Sequence, residues 1–189
     1  AGNYTVCGVI SNKADAYGLQ RAKQSNIPTT VVDHRQFASR DLFDQALAEA
    51  IDKYEPALIV LAGFMRILGA DFVKRYQGKI LNIHPSLLPD YPGTNTHQRV
   101  LDAGEKSHGV SVHFVTEELD GGPVIAQESI SIQSCDDAES LAIKTHEKEH
   151  LLFPIVASWF ADGRLRLDGN DAFLDEQLLA ANGEQIDTL

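Results

Sequence analysis

The sequence predicts an α/β fold on a mostly parallel sheet. Three observations carry this. Short apolar runs alternate with segments of helical period; the segments joining them are short; and one run, residues 57–62 (ALIVLA), is apolar throughout. Such a run is expected of a central strand covered on both faces. In chain order, residues 4–10 (YTVCGVI) read as a strand, 17–25 as a short helix and 29–32 as a second strand. Residues 40–54 place Leu42, Phe43, Ala46, Leu47, Ala50 and Ile51 on one helical face, and Glu55-Pro56 ends that helix. After the 57–62 strand, residues 70–76 are helical and 79–83 (KILNI) form a strand. Pro85, Pro89, Pro92 and Gly93 make residues 84–95 a loop. A short helix over 98–102, a strand over 110–115, a turn over 117–122 and a strand over 124–132 follow. Residues 138–160 form a helix longer than average, and 164–167 a last short strand. Residues 1–189 are expected to make one domain, with 169–189 a loosely packed acidic tail.

Composition narrows the function. Hydrophobic residues are 43% and charged residues 23%, which excludes a disordered or fibrous chain. With 16 basic against 27 acidic residues the net charge is −11, which argues against nucleic acid or an anionic membrane as partner. An anionic small substrate stays possible, because a few local cations offset the global sign. Two cysteines, Cys7 and Cys135, are too few for a disulfide framework, so a cytoplasmic location is expected. No apolar run approaches the ~20 residues of a membrane helix, and no signal-peptide pattern is read. The chain opens at Ala1 rather than Met, which is read as processing or a missing upstream segment.

In α/β sheets ligands bind beyond the carboxyl ends of strands. This points to the residues just after Ala62, Ile83 and Val115. The strongest signal there is Asn82-Ile83-His84-Pro85-Ser86-Leu87-Leu88-Pro89. Strand alternation puts Asn82 and His84 on one side. Asn offers donors to a developing oxyanion, and His is readily poised as acid or base; both could equally be satisfied by loop backbone. The second signal runs from Ser111 to Pro123, with Ser111 and His113 on one strand face and Asp120 before Gly121-Gly122, where an Asp commonly caps local backbone. After the 57–62 strand, Phe64, Met65, Ile67 and Leu68 around Arg66 suit a flat aromatic ligand with a carboxylate, or alternatively a core with an ion-paired Arg. His108, His146 and His150 lack metal-ligand spacing, so no metal is expected. Gly-rich dinucleotide, P-loop and nucleophile-elbow motifs are absent.

These residues resemble the phosphoribosylglycinamide formyltransferase family. The resemblance runs from Ser11-Asn12-Lys13-Ala14-Asp15-Ala16 to Trp159-Phe160-Ala161-Asp162-Gly163-Arg164-Leu165. It includes Leu61-Ala62-Gly63-Phe64-Met65-Arg66-Ile67-Leu68, Tyr91-Pro92-Gly93 and Thr96-His97. It implies a Rossmann-like formyltransferase fold with helices on both faces of the sheet. It implies formyl transfer from N10-formyltetrahydrofolate, as co-substrate, to the amine of glycinamide ribonucleotide in purine biosynthesis. Family catalytic positions fall on Asn82, His84 and Asp120. Asn82 and protonated His84 would stabilise an oxyanion, and Asp120 would hold the imidazolium and manage proton transfer through a water. The folate site would use Arg40, Phe64, Met65, Arg66, Ile67, Leu68, Val115, Thr116 and Glu117, and the ribonucleotide site Pro85 and Glu149. A monomer or weak homodimer is expected.

Three departures accompany the resemblance. The family's first strand and its Gly-Asn-Gly-Ser-Asn phosphate loop have no counterpart here and are expected upstream of Ala1. Asn95 stands where many members carry a His, and His146 where a Lys or Gln is common. A formyltetrahydrofolate hydrolase, a methionyl-tRNA formyltransferase and a folate-binding fragment lacking the phosphate loop are the competing readings. The run Ser86-Leu87-Leu88-Pro89 with Tyr91-Pro92-Gly93 disfavours the hydrolase, and the acidic charge disfavours a tRNA partner.

Overall fold

The computed structural model describes residues 3–186. Where the sequence predicts one domain, they divide into two compact units. One contains Leu58–Met65 and the chain from Gln77 onward; the other contains Tyr4–Ala57 and Arg66–Tyr76.

In the second of these, β1 (Val9–Ser11) pairs in parallel with β2 (Thr29–Val31), and α1 (Tyr17–Gln24) packs on both. The strand expected over residues 4–10 begins only at Val9, because only its last residues find a partner in β2. After a short 3-10 turn comes α2 (Arg40–Asp52), capped by Ser39, whose Oγ accepts the Leu42 N–H at 3.3 Å. Its buried face is Phe43, Asp44, Leu47, Ala48, Ala50 and Ile51. Leu42 lies outside it, because at 100° per residue it falls well off the Leu47 direction, and it is 49% exposed. Asp44 takes a place in that face because its Oδ2 accepts the Gly69 N–H at 2.7 Å. Gly69 precedes α3 (Ala70–Arg75), so this bond ties α2 to α3.

The other unit is a five-stranded sheet. β3 (Ile59–Leu61) pairs in parallel with β4 (Ile80–His84). β5 (Ser107–Phe114) follows the short helix α4 (Thr96–Asp102) and runs antiparallel to β4 and to β6 (Val124–Ser131). The expected parallel character thus holds for β1–β2 and β3–β4, and β5 interrupts it. β3, read as a central strand, is the sheet edge among the described residues, and its Val60 is 46% exposed. An apolar run reports hydrophobicity but not the number of neighbouring strands.

The long helix α5 (Ala138–Ala161) starts in a capping box, Asp137 and Ser140 each accepting the other's backbone N–H. Lys144 holds both Asp136 oxygens at 2.7 Å and keeps that carboxyl at about 2. Leu152, Phe153 and Val156 form one core with Leu81, Ile83, Val110, Val112, Phe114, Ile125 and Ala126. No helix among the described residues is long and apolar enough to cross a membrane.

The tail differs from expectation. β7 (Leu165–Asp168), β8 (Asp171–Leu174) and β9 (Gln177–Leu178) form an antiparallel sheet, and β10 (Glu184–Gln185) pairs in parallel with β6. Ala172 and Leu174 join the core, which anchors the segment. Gly183 lies at φ +62°, and a side chain there would strike the Ile125 and Ala126 backbone, so only glycine lets β10 approach β6. Residues 187–189 of the expected tail lie outside the described residues.

α4 is joined to β5 through a histidine pair, His97 Nδ1 and His108 Nε2 lying 2.9 Å apart. Burial pushes His108 down to about 4, with His97 and His84 adding repulsion; burial also lowers His97, against an opposing pull from Glu149. Both rings are therefore neutral in the fold. Below pH 6.5 the unfolded chain takes up protons that the folded one refuses, so stability falls as pH drops from 6.5 toward about 4. The slope should be up to ~1.4 kcal/mol per pH unit for each histidine. Denaturant unfolding across this range should show it, and His108→Gln should flatten it by about one proton.

Candidate active site

Residue alternation along β4 separates two roles. Leu81 and Ile83 enter the core, while Asn82 and His84 project from the other face. β5 continues this: Asn82 pairs with His113 and His84 with Ser111, whereas Leu81 pairs with Phe114 and Ile83 with Val112. Polar thus meets polar on one face and apolar meets apolar on the other.

Because β5 runs against β4, its last residue, Phe114, lies beside Leu81. The rule of strand carboxyl ends would leave the following loop ~10 Å from His84, three residues at ~3.4 Å each. The loop instead folds back over the sheet. Gly122 makes this possible: a side chain there would strike the Phe114 carbonyl oxygen. Asp120, at φ +51° in the left-handed region, turns its carboxylate inward to 9% side-chain exposure. Its Oδ2 accepts the Gly93 N–H at 2.8 Å and lies 3.6 Å from His84 Nδ1. Its Oδ1 lies 3.8 Å from His113 Nε2.

The proton positions follow from the partners. The Tyr91 carbonyl, 2.9 Å from His84 Nε2, can only accept, so Nε2 carries a proton and Nδ1 faces Asp120. A second proton on Nδ1 would complete an ion pair with that carboxylate. His113 Nδ1 sits 2.9 Å from the Phe114 carbonyl and donates to it. Burial lowers the His113 pKa, against smaller opposing effects of this bond and Asp120, so the ring is neutral and Nε2 holds a lone pair. The Asn82 amide, 3.1 Å away, must therefore donate through Nδ2. Its second N–H remains available to a ligand oxygen. One amide donor, one imidazole and one carboxylate thus converge where they can stabilise an oxyanion and move a proton.

The loop from Pro85 to Asn95 is bound to the sheet beneath it. Ser111 Oγ donates to the Ser86 carbonyl at 2.6 Å and accepts the Leu88 N–H at 3.0 Å. Gln127 Nε2 donates to the Leu88 carbonyl at 2.7 Å. Tyr91 and Asn95 both lie at positive φ, and Asn tolerates this conformation better than most residues, a local reason for Asn95.

The remaining sequence-predicted residues fall in several places. Pro85 is half-buried beside His84. Val115 donates its N–H to the Ile80 carbonyl at 3.0 Å; Val115 and Thr116 are half-buried and Glu117 is exposed. Phe64, half-buried, and Met65, 77% exposed, follow β3 in the same unit. Arg40, Arg66, Ile67 and Leu68 belong to the other unit. There Arg40 is exposed at the start of α2, and the Arg66 guanidinium lies 5.1 Å over the Phe43 ring. Arg66 Nε is buried without a hydrogen-bond partner. Glu149 accepts from His146 Nδ1 at 3.1 Å on α5, and its charge acts on His97. The sequence places His113 beside Ser111 without giving it a role, and marks Tyr91 and Gly93 as part of a motif and a loop but not as contacts of the site. The backbone groups of Tyr91 and Gly93, which make their contacts, leave no signature in residue type.

Comparison with known proteins places the chain in a family. The chain is 50% identical over 183 residues to the phosphoribosylglycinamide formyltransferase of Escherichia coli (strain K12), covering 97% of this chain and 86% of that protein. It is 46% identical over 159 residues to the trifunctional purine biosynthetic protein adenosine-3 of Gallus gallus, covering 84% of this chain but 16% of that protein. Among solved structures, the phosphoribosylglycinamide formyltransferase of Coxiella burnetii, in complex with CHES, superposes with a TM-score of 0.92 at 53% identity, over 97% of this chain and 86% of that one. Glycinamide ribonucleotide transformylase 1 of Symbiobacterium toebii superposes with a TM-score of 0.86 at 39% identity, over 89% and 79%. A profile described as formyl transferase matches residues 1–157, and the chain belongs to the formyl transferase family.

Proposed function

We propose that this chain transfers a formyl group from N10-formyltetrahydrofolate to the amine of glycinamide ribonucleotide, a step of purine biosynthesis, in a reducing cytoplasm. The observation that carries the reading is the convergence of Asn82, His84 and Asp120 on one buried face. Relatives of the same name at 50% identity support the choice of substrates. In the reaction the incoming amine nitrogen bonds to the formyl carbon, the old carbon–nitrogen bond breaks, and one proton passes from the incoming to the leaving nitrogen.

The residues divide this work. The free Asn82 N–H donates to the formyl oxygen as it gains charge. His84 supplies positive charge from the same strand face. Asp120, bonded to Gly93 and facing His84, holds that charge and takes part in the proton transfer through a water. Arg66 fits the carboxylate end of the folate, because an unpartnered buried guanidinium nitrogen is what a carboxylate satisfies. In the unit of the five-stranded sheet Phe64, Met65, Val115, Thr116 and Glu117 are proposed folate contacts; in the other unit Ile67 and Leu68 are as well, with Arg40 a second contact of the tail. Pro85 and Glu149 would meet the ribonucleotide.

The direct test is an assay of formyl transfer with both substrates, following ribonucleotide formylation; no transfer with folded protein would refute the reading. Asp120→Asn keeps an acceptor for Gly93 but removes the charge, and kcat should fall on the order of 10²–10⁴-fold. Binding of a folate analogue should change much less. Arg66→Ala should weaken a folate analogue bearing its glutamate by ~1.5–3 kcal/mol, read by calorimetry.

A further inference from the structure

The antiparallel ladder of β4 and β5 shows a directed chain of hydrogen bonds that the roles above do not use. It begins at the Phe114 carbonyl, which accepts from His113 Nδ1 at 2.9 Å. It continues from His113 Nε2 to the Asn82 amide at 3.1 Å. A carbonyl has no proton to give, so the first bond has one polarity. That polarity leaves His113 Nε2 as an acceptor, and the second bond takes the same direction. We propose that His113 is a positioning residue, which carries the fixed polarity of the Phe114 carbonyl to Asn82 and so sets which end of its amide faces the reacting oxygen.

The alternative arrangement shows what is at stake. With the proton on His113 Nε2, the Nδ1 lone pair would face the Phe114 oxygen at hydrogen-bond distance. Asn82 would then rotate by half a turn and present Oδ1 to the ring. An acceptor and a donor would exchange places at the point where negative charge develops. The locked tautomer also keeps Asp120 in place. Asp120 Oδ1 lies 3.8 Å from His113 Nε2, but a lone pair there gives the carboxylate nothing to bind. Asp120 is left to His84 and Gly93.

The local structure serves this geometry. His113 is 2% exposed, so water does not offer competing partners. The β5–β6 register shifts between Val112 and His113, and such irregularities re-aim a side chain while the ladder continues on either side. The cross-strand pair Asn82↔His113 keeps the two groups opposite each other.

The inference rests on the proposed formyl transfer, and the experiment separates the two. Wild-type protein that transfers no formyl group refutes the reading of function, whatever the variants do. Given an active wild type, His113→Leu removes both bonds while filling the site with an apolar side chain. It should lower kcat 10–100-fold, with KM for both substrates within a few fold, since misplacing a reacting group by about 1 Å has effects of this size. His113→Gln, whose side-chain oxygen can accept from Asn82, should recover most of that loss. The second readout needs no turnover: ¹⁵N shifts of the His113 ring in wild-type protein should show Nδ1 protonated and Nε2 unprotonated at neutral pH. A His113→Leu variant with wild-type kcat overturns the proposal, and so does a ring protonated on Nε2. Should His113→Leu fail to fold, the ring shifts alone decide.

Discussion

The register between β4 and β5 is the constraint on which the rest of this site depends. Side chains alternate along both strands, so a slip of β5 by one residue against β4 would turn Ser111 and His113 away from the face that holds Asn82 and His84. What prevents it is the apolar half of the same ladder. Leu81 with Phe114 and Ile83 with Val112 place four core residues in two cross-strand pairs, packed with Leu152 and Val156 of α5. Such a slip would bury the Ser111 hydroxyl and the His113 imidazole in a hydrophobic cluster and turn Val112 and Phe114 out of it. Each unsatisfied group would cost about 1–3 kcal/mol before the lost apolar burial is added. The hydrophobic core therefore aligns the polar site without touching it.

A buried polar face needs partners, and most of those here are backbone groups of two loops. The Tyr91 carbonyl, the Gly93 N–H and the Phe114 carbonyl each take one valence of His84, Asp120 and His113. These backbone groups are presented by an unusual concentration of left-handed conformations: Tyr91, Gly93, Asn95 and Asp120 all lie at positive φ. For residues other than glycine each such conformation carries of order 1 kcal/mol or more. Ser111 and Gln127 hold the first loop by three hydrogen bonds between 2.6 and 3.0 Å, and the close approach of Gly122 to Phe114 holds the second. The strain sits where the loops must aim single atoms, and the restraints sit immediately beneath it.

Legibility in the sequence followed the range of the interaction. Asn82 and His84 were readable because a two-residue spacing at a strand end is a local fact. The two glycines after Asp120 mark its turn, but the turn alone reads as a backbone cap, and its place beside His84 is implied only by the family resemblance. The direction of β5 was not readable, since a buried strand has the same composition whichever way it runs. His113 went unassigned for a related reason: its partner is 31 residues away, and its tautomer is decided by a carbonyl that every residue possesses. The strands β8, β9 and β10 were hidden because two to four residues among Gly, Asp and Asn carry no periodicity, although Ala172 and Leu174 suffice to anchor them. The run over 57–62 reads as a central strand, whereas among the described residues β3 stands at the sheet edge, because hydrophobicity does not count neighbours.

Asp120 lies between two imidazoles at nearly equal distances, 3.6 Å from His84 Nδ1 and 3.8 Å from His113 Nε2. Coulomb attraction alone barely separates them, since at a given dielectric it changes only as the inverse of distance. The other bonds of each ring decide. His113 is complete as a neutral ring, donating through Nδ1 and accepting through Nε2, and a further proton would set its N–H against that of Asn82. His84 donates through Nε2 to Tyr91 and has only the carboxylate opposite Nδ1, so a further proton there completes its set of partners. The hydrogen-bond network thus completes His113 as a neutral ring and leaves His84 Nδ1 facing the Asp120 carboxylate. Two chemically identical side chains on neighbouring strands acquire different roles because one faces the Tyr91 carbonyl and the other the Phe114 carbonyl.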